Sequence, residues 1–269
     1  MTEVPRLSAA SLDDLDRCKR RFALRYRANR YWPGPQPGDL DAKATESERT
    51  GFLFHRLVQQ HAQGLDVQAI LEAEGTEIPR LIELWRKFEA SPHARLKEPI
   101  FTEAPLHFFH SGIPFVVRFD RLIRHAQSWE ILDWKTGGMT PSKLKTSWQT
   151  RLYRFSLAIA GHVYNDGQPI PPESIQITYW DVSRSRPETF GYDNTSFEED
   201  KRLFEAKAVE ASRPFDETLG EDPNFPRTSK SATCARCSFD SYCNPVVMEV
   251  KPVQLALPLP QFKLREEES

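Results

Sequence analysis

The four cysteines constrain this 269-residue chain more than any other feature, because Cys18 stands far from Cys234, Cys237 and Cys243 of CARCSFDSYC. A Cys-x2-Cys pair can aim two thiolates at one site from a single turn, and the short run to Cys243 can add a third. Zinc or an iron–sulfur cluster takes four ligands, and Cys18 is the only cysteine left to be the fourth. Alone, Cys18 reads as a small core residue; joined to the other three, it demands a fold that staples distant segments together. Disulfides are not expected. MTEVPRLSAASLDDL is polar and mixed, with no signal-peptide core, and no apolar run approaches the roughly 18 residues of a membrane span. The chain reads as soluble and cytoplasmic, without a membrane partner.

The chemistry centres on RFDRLIRHAQSWEILDWKTG, Arg118 to Gly137. Two alternating runs flank a polar turn at His125 to Ser128, which predicts a hairpin or two neighbouring strands. Side chains two apart share a strand face, so Ile131, Asp133 and Lys135 point one way and Leu132 and Trp134 the other. Pairing of the two strands brings Asp120 to the same edge. Two carboxylates beside an ammonium can hold a divalent metal and steady a developing phosphorane charge.

The other segments supply a frame. Ser11 and Asp14 open an amphipathic helix with Leu12, Leu15, Cys18, Phe22 and Tyr26 inward. Its basic cluster of Arg17, Lys19, Arg20, Arg21, Arg25, Arg27 and Arg30 points outward, although the net charge of −2 announces no nucleic acid. WPGPQPGD, Trp32 to Asp39, is a linker or surface loop. A helix from about Thr45 to Gln63 carries Gly51, Phe52, His55, Val58 and Gln59 on one face, where His55 is either a core residue or a ligand. Gly51 would let a neighbour approach closely. Helices at Asp66 to Glu74 and Pro79 to Glu89 promise packing only.

From Ile100 the period is that of strands, with Glu103 in the first, readable as an edge carboxylate facing solvent. Pro141 opens a helix over about Lys145 to Ala160 that aligns Gln149 with Tyr153. Strands at Ser174 to Val182 and Arg186 to Tyr192 precede a helix capped by Ser196 and Glu199 and ending near Ser212. This order predicts a mixed α/β (α+β-like) sheet core flanked by helices.

Together these residues resemble the RecB-type branch of the PD-(D/E)xK nuclease superfamily, which includes the AddB nuclease and an iron–sulfur CRISPR-associated nuclease. The matching positions are His55 in FLFHRLV, Glu103, Asp120 in RFDRL, Asp133 and Lys135 in LDWKTG, Gln149 and Tyr153 in QTRLY, and the four cysteines. The resemblance implies a restriction-endonuclease-like core in one domain over residues 1–245. His55, Asp120, Asp133 and the carbonyl of Trp134 would hold Mg²⁺ or Mn²⁺, Lys135 would orient the nucleophile, and Glu103 would assist. Gln149 and Tyr153 would contact DNA and support the lysine. It also favours [4Fe–4S] over zinc at Cys18, Cys234, Cys237 and Cys243. One place departs: the family often has glycine two residues before the first metal aspartate, and here stands Arg118.

The implied activity is a metal-dependent exonuclease on single-stranded or end-containing DNA, in repair or recombination, with a helicase subunit as a possible partner. The alternatives are a catalytically silent iron–sulfur DNA-binding scaffold and a redox protein. Residues 246–269 read as an extended tail in which Gln254 to Leu259, QLALPL, resembles the peptide that docks bacterial proteins to the sliding clamp.

Overall fold

The computed structural model describes residues 5–30, 42–75, 78–95, 100–138, 140–218, 221–235 and 237–244. The expected linker around residues 32–39 and the tail with Gln254 to Leu259 lie outside them. Helices α1 (Ala9–Arg17), α2 (Lys19–Tyr26), α3 (Ala42–Ala62), α4 (Gln68–Gly75) and α5 (Pro79–Glu89) precede strands β1 (Ile100–His110), β2 (Ile113–Arg124) and β3 (Trp129–Lys135). Then come α6 (Pro141–Lys145), α7 (Trp148–Ala160), β4 (Ile175–Asp181), β5 (Arg186–Gly191), α8 (Asn194–Ala211), α9 (Ser231–Cys234) and α10 (Asp240–Cys243).

The strands form one five-stranded sheet in the order β1-β2-β3-β4-β5. Neighbours are antiparallel except β3 and β4, which run parallel through the crossover of α6 and α7. This is the mixed α/β core that the sequence predicts.

Alternation along β3 divides its side chains between two apolar layers. Ile131 joins Leu12, Leu15, Leu152, Phe155 and Phe204 on the side of α1, α7 and α8. Leu132 and Trp134 join Phe54, Leu57, Leu84 and Phe88 on the side of α3 and α5. Trp134 is 2% exposed and meets Phe88 edge-on at 5.3 Å between ring centroids, a geometry worth about 0.5–1.5 kcal/mol beyond area burial. Packing on both faces leaves the end of β3 in a fixed position.

Four helix boundaries differ from the pattern reading. The first helix is two, broken at Cys18, whose φ of −162° and ψ of 109° are extended. Ser8, not Ser11, caps α1, accepting from the Ser11 N–H. The helix after Pro141 also divides, because Ser147 adopts an extended conformation and caps α7 through its side chain. Asp193 caps α8 by accepting from Ser196, so the cap lies three residues earlier than Ser196 itself. At Cys18 and Ser147 the apolar spacing runs through a break at a single extended residue, whereas at Ser8 and Asp193 a side-chain-to-backbone hydrogen bond sets the helix start.

Candidate active site

The ladder between β2 and β3 closes at Arg121 opposite Leu132, one residue short of Asp120 and Asp133. Where the strands part, the Trp134 N–H donates to Asp120 Oδ2 at 3.1 Å. The parting of two strands thus places both carboxylates at one edge.

Asp133 is 2% exposed. Its Oδ2 accepts from Gln149 Nε2 at 2.5 Å, and Lys135 Nζ lies 2.6 Å from its Oδ1. That second contact is an ion pair to a buried oxygen. Lys135 Nζ also donates to Gln149 Oε1 at 2.9 Å, closing a triangle. Burial, and then the charge of Asp120, push the Asp133 carboxyl up to about 6 against the opposing pull of Lys135. A carboxylate in this environment gains from a nearby cation.

The second group forms around Asp120. His55 Nδ1 lies 3.2 Å from Asp120 Oδ2, and one ligand atom from each of His55, Glu103 and Asp120 falls within 4.8 Å of the others. Burial disfavours protonation of His55, but the hydrogen bond and charge of Asp120 outweigh it and lift the imidazole above its usual range. Glu103 occupies the left-handed region at φ 48°, while Thr102 and Ala104 on either side keep their partners on β2. Strain of this kind in a non-glycine strand residue costs on the order of 1–3 kcal/mol and is characteristic of functional sites. Burial also raises the Glu103 carboxyl, against the charge of Arg118, whose Nε lies 2.9 Å from Glu103 Oε2.

Supporting contacts hold the bend after Lys135. A methyl group on Gly51 would sit 3.2 Å from Thr136 Oγ1, so α3 approaches as closely as that glycine permits. Arg80 donates to the Thr136 carbonyl at 3.0 Å. Tyr153 donates to the Arg118 carbonyl at 2.9 Å and sets its ring edge-on to Phe119, bracing β2 beside Asp120. The site residues read from sequence therefore fall into two adjoining sets, His55, Glu103 and Asp120 in one and Asp133, Lys135 and Gln149 in the other. The backbone of Trp134 joins them, with Tyr153 behind. The bracing by Arg80 was not foreseen, since nothing in an exposed helical arginine marks a distant carbonyl partner.

The cysteines also approach one another. Cys18 sits at the break between α1 and α2, and the Cys237 N–H closes a turn onto the Cys234 carbonyl at 2.8 Å. All four thiols are partly buried. Burial raises the Cys237 and Cys243 thiols. The charges of neighbouring thiols add to this, Cys18 and Cys234 acting on Cys237, and Cys18 and Cys237 on Cys243. No three of these sulfurs lie within 4.8 Å of one another among the described residues.

The basic cluster is less outward than its sequence suggests. Arg21 and Arg25 converge on buried Asp14 at 2.6 and 2.8 Å, Lys19 pairs with Glu210, and Arg30 with Glu217. Arg27 donates to the Ala211 and Arg213 carbonyls, and buried Arg20 lies over the Phe215 ring. A helix face used to bind other segments of its own chain is largely spent for phosphate. No helix among the described residues is long and apolar enough to cross a membrane.

Residues 6–244 match the family described as the PD-(D/E)XK nuclease superfamily. The chain belongs to that superfamily. As a PD-(D/E)XK protein it shows structural likeness to a provisionally named exonuclease from Eubacterium rectale, at 9% identity over 77% of this chain and 81% of that one, with a TM-score of 0.46. It also shows likeness to SSO0001, at 14% identity over 73% of this chain and 96% of that one, with a TM-score of 0.34. No curated protein matches it. Membership of this superfamily indicates a nuclease, hence a hydrolase acting on nucleic acid, in a class that uses divalent metals.

Proposed function

We propose that the chain is a Mg²⁺- or Mn²⁺-dependent deoxyribonuclease of the RecB type, an exonuclease acting on single-stranded or end-containing DNA in repair or recombination. One observation carries this reading: the His55, Glu103 and Asp120 group adjoins the Asp133, Lys135 and Gln149 triangle at the end of one strand. The donors fit a divalent cation, because oxygen ligands suit magnesium and the added imidazole suits manganese. His55, Asp120 and Asp133 would hold the ion, with Glu103 as a further carboxylate and the Trp134 carbonyl in reach of the same edge. When bound, the ion supplies Lewis-acid polarisation of a phosphate and a more acidic water.

The chain's own groups do the rest. Lys135 presents an ammonium to the water that attacks phosphorus and to the charge that builds on the phosphoryl oxygens as the P–O bond to the leaving nucleotide breaks. Gln149 fixes the lysine by accepting from it, and fixes Asp133 by donating to it. With labelled single-stranded DNA and Mn²⁺, Asp133→Ala and Lys135→Ala are each expected to lose at least about 100-fold in rate. Equal rates for the wild type and both variants would refute the reading.

The cysteine group supports a [4Fe–4S] cluster with a structural role, zinc being the alternative. Four partly buried thiols gathered from distant segments suit a bound cation, and loss of any one should loosen the fold. Absorbance near about 400 nm in anaerobically purified protein separates cluster from zinc. A helicase partner and clamp docking through Gln254 to Leu259 complete the proposal. A peptide of residues 250–269 that fails to bind a bacterial clamp would remove the latter.

A further inference from the structure

Arg118 reaches the acidic group from the solvent side. Its side chain is 72% exposed, whereas that of Glu103, to which its Nε is paired, is 19% exposed. The backbone beneath it is fixed, since its carbonyl accepts from Tyr153 and its Cα partner across the ladder is Pro105. Of its three guanidinium nitrogens, Nε makes the close approach to Glu103, at 2.9 Å from Oε2. An exposed cation on a braced stretch of backbone therefore pairs with a carboxylate that stands, on left-handed backbone, beside His55 and Asp120.

We propose that Arg118 is a positioning residue that couples metal loading to substrate: without DNA its guanidinium holds Glu103, and a phosphate of an entering strand draws it away and frees that carboxylate for the cation. Three physical points support this. An ion pair with one partner so exposed is held weakly. A guanidinium this exposed can turn its planar fork to a phosphate and bind it bidentately. A fixed positive charge beside the ligand group repels a divalent ion until it moves. Linkage makes the effect reciprocal, so Mn²⁺ tightens DNA by the factor by which DNA tightens Mn²⁺. The inference rests on the metal-dependent nuclease reading above.

The test is titration of Mn²⁺, followed by the EPR signal of the free ion at low ionic strength. It uses the full chain as wild type, Arg118→Gln, Arg118→Lys and His55→Ala, each with and without a cleavage-resistant single-stranded phosphorothioate oligonucleotide. Arg118→Gln is expected to bind Mn²⁺ about tenfold more tightly than wild type without DNA, and to gain correspondingly less when the oligonucleotide is added. Arg118→Lys keeps the charge but not the fork, so it binds Mn²⁺ as wild type does without DNA and gains less from the oligonucleotide; an Arg118→Lys that behaves as Arg118→Gln without DNA would overturn the charge-based role. If Arg118→Gln binds Mn²⁺ no more tightly than wild type without DNA, or gains as much from the oligonucleotide, the coupling role is overturned while the metal site stands. If wild type and His55→Ala bind Mn²⁺ alike, the metal site itself is misplaced and both readings fall.

Discussion

Replacing Asp133 by asparagine is expected to stabilise the metal-free protein while removing its activity. The Asp133 carboxyl is raised from an ordinary 3.8 to about 6 by burial and by Asp120, so the folded state binds its proton more tightly than the unfolded state does. Stability is then greatest below pH 3.8, falls as pH rises from there to about 6, and stays low above it. At about 1.4 kcal/mol per pH unit the charge costs about 3 kcal/mol at pH 8 and roughly half that at pH 5. Asparagine keeps the shape and an acceptor for Gln149 without the charge. For a chain of this size, about 3 kcal/mol corresponds to a rise in Tm of about 6–12 °C. Thermal unfolding followed by circular dichroism in EDTA at pH 8 and pH 5 measures the difference. Adding Mn²⁺ should then stabilise the wild type and leave the variant nearly unmoved. A variant that is no more stable at pH 8, or whose gain does not shrink at pH 5, would refute the view that a buried charge only partly offset by Lys135 waits for a cation.

Other outcomes follow from the same geometry. Gln149→Ala removes the bridge between Lys135 and Asp133 and should lower kcat about tenfold or more with little change in KM, by steady-state kinetics. Gly51→Ala adds about 1 kcal/mol of helix propensity but sets a methyl 3.2 Å from Thr136 Oγ1; Tm should hold or rise while kcat falls, and a fall in both would point to global damage instead. Mn²⁺ affinity should weaken as pH drops through about 6, where Asp133 takes up its proton, and calorimetric titrations at pH 5.5 and 7.5 would reveal it. Cys18→Ser should lower Tm and abolish absorbance near about 400 nm together; loss of neither would exclude a shared site for the four thiols.

The strand pattern was legible because period-two alternation is written directly into WEILDWK, and the two apolar layers divide that segment as its residues alternate. Asp133 beside Lys135 was legible from the same alternation, whereas the approach of Gln149 to the lysine was implied only by the family resemblance, and its bond to Asp133 was not foreseen. What could not be read is of two kinds. Helix breaks at Cys18 and Ser147 interrupt no apolar spacing, because one extended residue leaves the stripe nearly in phase. Glu103 reads as an ordinary edge-strand acid, and its left-handed φ has no mark in composition, since glycine or asparagine would be the usual sign. The inward turn of the basic cluster depended on Asp14, Glu210 and Glu217, which lie on other turns or far along the chain.

The fit of α1 and α2 against residues 210–238 has a consequence for how the molecule is made. Arg27 waits for the carbonyls of Ala211 and Arg213, the Arg20 amide for that of Pro226, and Arg25 for Ser238. On the ribosome α1 can settle on β2 and α7 once those have emerged, but these contacts of α2, and that of Phe22 with Phe225, form only when nearly all of the described chain is out. Such long-range closure slows folding, and it makes the nascent amino-terminal segment the part most in need of a chaperone's shelter.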